Sequence, residues 1–121
     1  HGIAHRALPM SDQPVRTLVH CDIGTLAFQH YFVRERCAPR VSGFSFAGAE
    51  RASAAPGVLE ALGAPDLAGV IICPSNPFLS IGPILAVGGV RAAPAACAAP
   101  VIAVSPIVAG AALKGPTAKI M

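Results

Sequence analysis

Apolar positions along this chain fall into two regimes. Up to about residue 40 they stand singly or in pairs among polar and charged residues, and from Val41 onward they gather into short runs punctuated by Gly and Pro. Val41, Phe44 and Phe46, with Gly43 among them and Gly48 behind, read as a short strand and its exit turn. Pro56 to Leu62 reads as a short helix, because Pro suits a first helical turn and Gly63 follows the last one. Leu67 to Cys73 (LAGVIIC) is a near-continuous apolar run between Pro65-Asp66 and Pro74, the pattern of a parallel strand covered on both faces. Ser80 is expected to cap a helix over Ile81 to Val87, with Pro83 in its first turn and Gly88-Gly89 ending it. Val101 to Val104, entered from Pro100 and closed by Ser105-Pro106, reads as another strand, and a further helix is expected from Thr117.

Strand, helix, strand, helix, strand, helix is the βαβ rhythm of an α/β fold, here part of a Rossmann-like, doubly wound, mostly parallel sheet. Residues 1–40 are then a polar segment or insertion of the same domain, and residues 41–121 its βαβ core. The chain opens on His1 and stops at Met121, just after the expected helix start, so it is read as an internal fragment of one larger domain. In open α/β sheets ligands bind beyond the carboxyl ends of the strands. The loops holding Ser75, Asn76, Ser80 and Gly82, and Ser105 to Gly115, are therefore expected to meet at one edge and form a cleft wall.

Composition narrows the classes. With 54% hydrophobic residues, 12% charged ones and a mean hydropathy of +0.62, the chain is not disordered. Two uncharged stretches, 67–90 and 92–113, are long enough to span a bilayer, but prolines at 74, 77, 83, 94, 100 and 106 each delete a backbone donor that lipid cannot replace, so no membrane segment is expected. Cys21, Cys37, Cys73 and Cys97 form no CxxC pair, and they read as structural thiols of a cytoplasmic protein. His1 and His5 have a ligand-like spacing with no acidic third ligand nearby. The arginines at 6, 16, 34, 36 and 40 are dispersed with few aromatic neighbours, the mark of a solvated face and not of a nucleic-acid platform.

The most informative segment is Pro74 to Pro83 (PSNPFLSIGP). Two prolines stiffen it, Ser75 and Asn76 offer hydroxyl and amide groups, and Ser80 to Gly82 are expected to present free backbone N–H groups at a helix start, where an anion such as phosphate is favoured. The same residues also fit a plain reading, with Ser80 only a cap and Asn76 only a turn residue. In the second loop Lys114, beside Gly115, either reaches a phosphate as a point charge or is a solvated loop residue. This is no Walker A loop, since Gly-Pro follows the lysine where a hydroxyl residue would hold magnesium. Asp12 and Asp22 are the acids available for a metal, Arg16 is set in the distinctive string LPMSDQPVRT, and no nucleophile is paired with a base.

The strings LPMSDQPVRT (8–17), FQHYFV (28–33), PSNPFLSIGPILAV (74–87), VIAVSPIV (101–108) and ALKGPTAKIM (112–121) resemble, in the same order, the middle of the phospholactate transferases of deazaflavin coenzyme F420 biosynthesis. Departures are Gln13 for a second Asp, Gly88 for Pro, Ala109 for Gly, and Pro94 within an expected short helix. The resemblance implies a Mg²⁺-dependent transfer of a phospholactyl or phosphoenolpyruvyl group from a guanylylated donor to the deazaflavin Fo, releasing GMP. Such a transfer needs positioned donors more than a covalent nucleophile. Carried over by motif, Ser75, Asn76, Ser80, Ile81 and Gly82 line the guanine-nucleotide side, with Lys114 and Gly115 closing it. A homodimer is an expected assembly. Family members are much longer and begin with a Gly-rich strand-loop-helix followed by acidic residues, so residues 1–121 alone are not expected to catalyse. The competing reading is a nucleotide or nucleotide-sugar binding regulator of the gluconeogenesis-factor type, against which the extended PSNP and LPMSDQPVRT strings argue.

Overall fold

A computed structural model describes residues 2, 4–109 and 111–112. It is a mixed α/β structure whose strands form three small sheets, none of them closed into a barrel among the described residues. The first is antiparallel, in the order β2-β1-β3, from β1 (Arg16–Cys21), β2 (Gly24–Ala27) and β3 (Val41–Ala47). β1 and β2 make a tight hairpin around Asp22 and Ile23, with Cys21 opposite Gly24 at φ +117°. Alternation sorts the side chains: Val19 stands opposite Leu26 and Phe44 on one face, His20 opposite Thr25 and Gly43 on the other. The inner face packs around Val19, Tyr31 and Cys37, with Leu26, Phe28, Val41 and Phe44 against them. On the outer face the His20 ring bridges the strands, Nδ1 to Thr25 Oγ1 at 3.0 Å and Nε2 to Ser45 Oγ at 2.9 Å.

The segment between β2 and β3 makes a wide helical turn over His30–Arg34, which drives Tyr31 to full burial. The Tyr31 hydroxyl donates to the carbonyls of Cys37, at 3.5 Å, and Pro39, at 3.4 Å. Burial first, then the neighbouring Cys37 and Cys21 thiols, raise this phenol above its ordinary pKa of 10.0. The folded state therefore holds the proton more tightly than the unfolded chain. Its stabilising effect is complete below about pH 10 and is lost as pH rises through the higher folded value. Denaturation of the parent and of Tyr31→Phe across pH 9–11 is expected to show a steeper loss of stability in the parent, and parallel curves would contradict the burial argument.

The second half carries α1 (Val58–Leu62), β4 (Val70–Ile72), a wide turn over Pro77–Ile81 running directly into α2 (Gly82–Ala86), α3 (Ala92–Ala96) and β5 (Val101–Ala103). β4 and β5 pair in parallel, Ile71 opposite Ile102, with the helices as the crossover. A short antiparallel pair follows, β6 (Ile107–Val108) with β7 (Ala111–Ala112). Pro94 falls in the first turn of α3, where a missing donor costs little, so the short helix expected there forms despite it. The helix expected from Thr117 lies outside the described residues.

Two expectations are corrected. β3 does not join the parallel sheet but pairs antiparallel with β1, because its own alternation of Phe44 and Phe46 against Gly43 and Ser45 suits a sheet covered on one face. The apolar run at 67–73 is a strand only over Val70–Ile72, the length its partner β5 can pair, and it is not covered on both faces: Ile71 is 67% exposed and Ile102 56%. Cys73, which ends the run, is exposed as well, and all four cysteines are free thiols.

A second core of Ala52, Val87 and Val90, with Met10, Val15 and Val58 against it, joins the segments. The LPMSDQ string lies along residues 52–55: the Ala55 N–H donates to Met10 O at 3.1 Å, and Gln13 Oε1 accepts from the Ser53 N–H at 3.1 Å.

Candidate functional site

Because β4 and β5 are parallel and in register, Cys73 and Val104 leave the sheet at the same edge, and the Pro74 and Ser105 loops start side by side. The first loop turns at once into the helix. Asn76 is its N-cap: with extended backbone, φ −60° and ψ 120°, its Oδ1 accepts from the N–H groups of Phe78 and Leu79, both at 2.9 Å. Pro77 fills the first helical position. Ser80 is thus not the cap but lies a full turn inside the helix. Its N–H and that of Ile81 donate to Asn76 O at 3.0 and 3.1 Å, and the Gly82 N–H donates to Pro77 O. The backbone donors expected to face an anion at 80–82 are consumed by the wide turn, because the helix starts four residues earlier than Pro83 suggested.

The side chains remain. Ser75, Ser80 and Ile81 line a cavity of about 380 Å³ with Ile71, Ile72, Cys73, Ile84 and Leu85. The lining is apolar apart from the two hydroxyls and the Cys73 thiol, so it suits an aliphatic or ring surface held by one or two hydroxyl contacts. Gly82 is on the other side of the helix, where a Cβ would stand 2.8 Å from Phe46 Cζ. Ser105 folds back on itself, its Oγ accepting from the Ile107 N–H at 3.0 Å, and does not line the cavity. Lys114 and Gly115 lie outside the described residues.

The two candidate acids stand apart. Asp12 is exposed, Asp22 accepts from the Arg40 N–H at 3.2 Å, and no group of three or more His, Cys, Asp or Glu able to hold an ion occurs among the described residues. Arg16 opens β1, exposed, opposite Ala47. Among the described residues no helix is long and apolar enough to cross a membrane.

Asn76→Ala is expected to lower stability by about 1–2 kcal/mol through loss of the cap, while Asn76→Asp, which keeps the acceptor, is expected to stay within about 0.5 kcal/mol of the parent. Urea denaturation of both variants checks this, and equal effects would remove the capping role.

The profile of one protein family, 2-phospho-L-lactate transferase CofD, matches residues 1–121 from end to end. The chain belongs to that family. A 2-phospho-L-lactate transferase of Haloarcula marismortui is 43% identical over 81 residues, covering 67% of this chain and 23% of its own length. One from Methanococcoides burtonii is 44% identical over 82 residues, covering 68% and 26%. A phosphoenolpyruvate transferase of Streptomyces griseus is 42% identical over 81 residues, covering 64% and 25%. The chain thus spans about a quarter of the length of the CofD relatives it matches. The PSNP segment that carried the resemblance is the segment that caps and enters the one helix bordering the 380 Å³ cavity in this CofD chain. The aromatic side of that helix was missed in the sequence, where Phe44 and Phe46 read only as strand residues. Phe78, one residue beyond PSNP, was the available signal.

Proposed function

We propose that the protein carrying this chain transfers a phospholactyl or phosphoenolpyruvyl group from a guanylylated donor to the deazaflavin Fo, releasing GMP and giving F420-0 or dehydro-F420-0. The observation that carries the reading is the end-to-end match to the CofD family, reinforced by relatives named for both three-carbon acids. In this reading the parallel pair β4-β5 is a piece of a doubly wound sheet, and residues 1–121 belong to a larger cytoplasmic domain that assembles as a homodimer. Ser75 and Ser80 contact the nucleotide through their hydroxyls, Asn76 holds the loop in shape, Ile81 supplies apolar surface, and Lys114 with Gly115 closes the phosphate side. Magnesium would be held by residues beyond those described. Phosphoryl chemistry of this kind depends on fixed donors around the phosphates, and a stiff, capped loop at a strand end provides such fixing without a covalent intermediate.

The test is mass detection of F420-0 or dehydro-F420-0 from Fo and the guanylylated donor with Mg²⁺, using the full-length gene product. Product with one donor and not the other assigns the three-carbon acid. No product from a folded, full-length protein with either donor overturns the reading.

A further inference from the structure

Spacing along the sequence pairs no nucleophile with a base, but the register of the antiparallel sheet does. His20 stands on the outer face of β1, opposite Thr25 of β2 and Gly43 of β3. Ser45 lies two residues further along β3, on the same face and diagonal to His20. Gly43 has no side chain to fill the place opposite the imidazole, and the ring passes over it: a Cβ there would be 4.0 Å from His20 Cδ2. The two ring nitrogens thereby meet two hydroxyls, Nε2 with Ser45 Oγ at 2.9 Å and Nδ1 with Thr25 Oγ1 at 3.0 Å.

A serine hydroxyl is a weak nucleophile until its proton has somewhere to go, and a neutral imidazole within hydrogen-bond reach supplies that place, best when a third group holds the ring. With the ring proton on Nδ1, His20 donates to Thr25 Oγ1 and its Nε2 accepts from the Ser45 hydroxyl. His20 and Ser45 are both partly buried, fixed by the sheet and still reachable by a small reagent. Ser42, also on β3, is the contrast. Its exposed hydroxyl donates to the His20 carbonyl at 3.2 Å, a peptide oxygen too weakly basic to take the proton.

We propose that Ser45 is an acylation site, with His20 as its general base and Thr25 as the positioning residue, and that it takes acyl groups from small activated esters. Ser45 Oγ bonds to the ester carbonyl carbon while its proton passes to His20 Nε2. The bond from that carbon to the alkoxy or phenoxy oxygen then breaks, and the imidazolium returns the proton to the departing oxygen. The products are an ester on Ser45 and a free alcohol or phenol, with no oxidant or further reactant. The site shares no residue with the cavity beside the PSNP loop, and it does not rest on the transferase reading.

The test treats the folded full-length gene product with p-nitrophenyl acetate and follows acetylation of each serine by peptide mass spectrometry, which separates Ser45 from thiols and amines labelled elsewhere. Ser42 is the internal reference on the same strand. Ser45 is expected to acetylate about a hundredfold faster than Ser42, the scale of general-base assistance. His20→Gln is expected to remove that advantage. Thr25→Val is expected to slow Ser45 by about tenfold, the scale of one hydrogen bond in a barrier, and Thr25→Ser, which keeps the hydroxyl, to restore the rate. Melting temperatures are recorded on the same samples. Because Thr25 is exposed, the Thr25 pair decides the matter should His20→Gln disturb folding. Equal acetylation of Ser45 and Ser42 in the parent, or an unchanged Ser45 rate in folded His20→Gln, overturns the proposal. A parental rate in Thr25→Val overturns the positioning role.

Discussion

Tyr31→Ala is expected to lower stability by about 3–5 kcal/mol, the range for deleting a large buried ring. Tyr31 has no exposed surface and sits with Val19 and Cys37 at the centre of the cluster that Leu26, Phe28, Val41 and Phe44 close. Removing it leaves a void against both the sheet and the 28–40 segment, and two carbonyls, of Cys37 and Pro39, lose their hydroxyl donor. Those two contacts are long, at 3.5 and 3.4 Å, so the ring and not the hydroxyl supplies most of the effect. Tyr31→Phe should accordingly cost no more than about 1 kcal/mol at neutral pH. Equilibrium denaturation of the full-length protein separates the two variants, and a Tyr31→Ala loss below about 1 kcal/mol would mean that the sheet packs elsewhere.

Gly48→Ala is expected to be nearly as damaging, at about 3 kcal/mol, for a different reason. Gly48 turns the chain out of β3 at φ +92°, a conformation that costs an L-residue about 1–2 kcal/mol. A Cβ there would also stand 2.5 Å from Pro14 O, and that obstacle is backbone, not a side chain that can swing aside. Relief requires moving the LPMSDQ segment away from residues 52–55, which strains the second core through Met10 and Val15. Gly88→Ala is the comparison: its φ is not positive and its nearest neighbour would be 3.3 Å away, so it should cost far less. Similar melting temperatures for the two alanine variants would refute the account.

Much of the second half was legible because its signals are local. Gly63 ends α1 as expected, although Pro56 precedes the Gly57 cap, at φ +86°, and does not stand in the first helical turn, while Pro100 and Ser105-Pro106 bracket β5, and such punctuation acts through φ and missing donors whatever the surroundings. The hairpin of β1 and β2 was not read, because its alternation runs through Arg16, Thr17, His20 and Thr25 and so lacks apolar contrast. Ser80 reads as a cap, yet Asn76-Pro77 is the stronger start signal: an acceptor side chain followed by proline at the first helical position. Coverage of β4 and β5 is not legible, because a run such as VII reads alike whatever packs over it, and that depends on residues distant in sequence. For the candidate site, the PSNP loop was legible as the turn off β4. The face of the helix that Phe46 and Phe78 share was not, since their meeting depends on β3 pairing with β1.

Residues 1–121 contain no tryptophan and a single tyrosine, the one buried against Val19. Its ultraviolet emission is thus free of energy transfer to any indole within the chain, and its reporter occupies one known place, inside the antiparallel sheet's cluster. An unfolding trace of its tyrosine emission follows that cluster alone. A difference between such a trace and backbone circular dichroism would time the loosening of the sheet against that of the β4-β5 crossover.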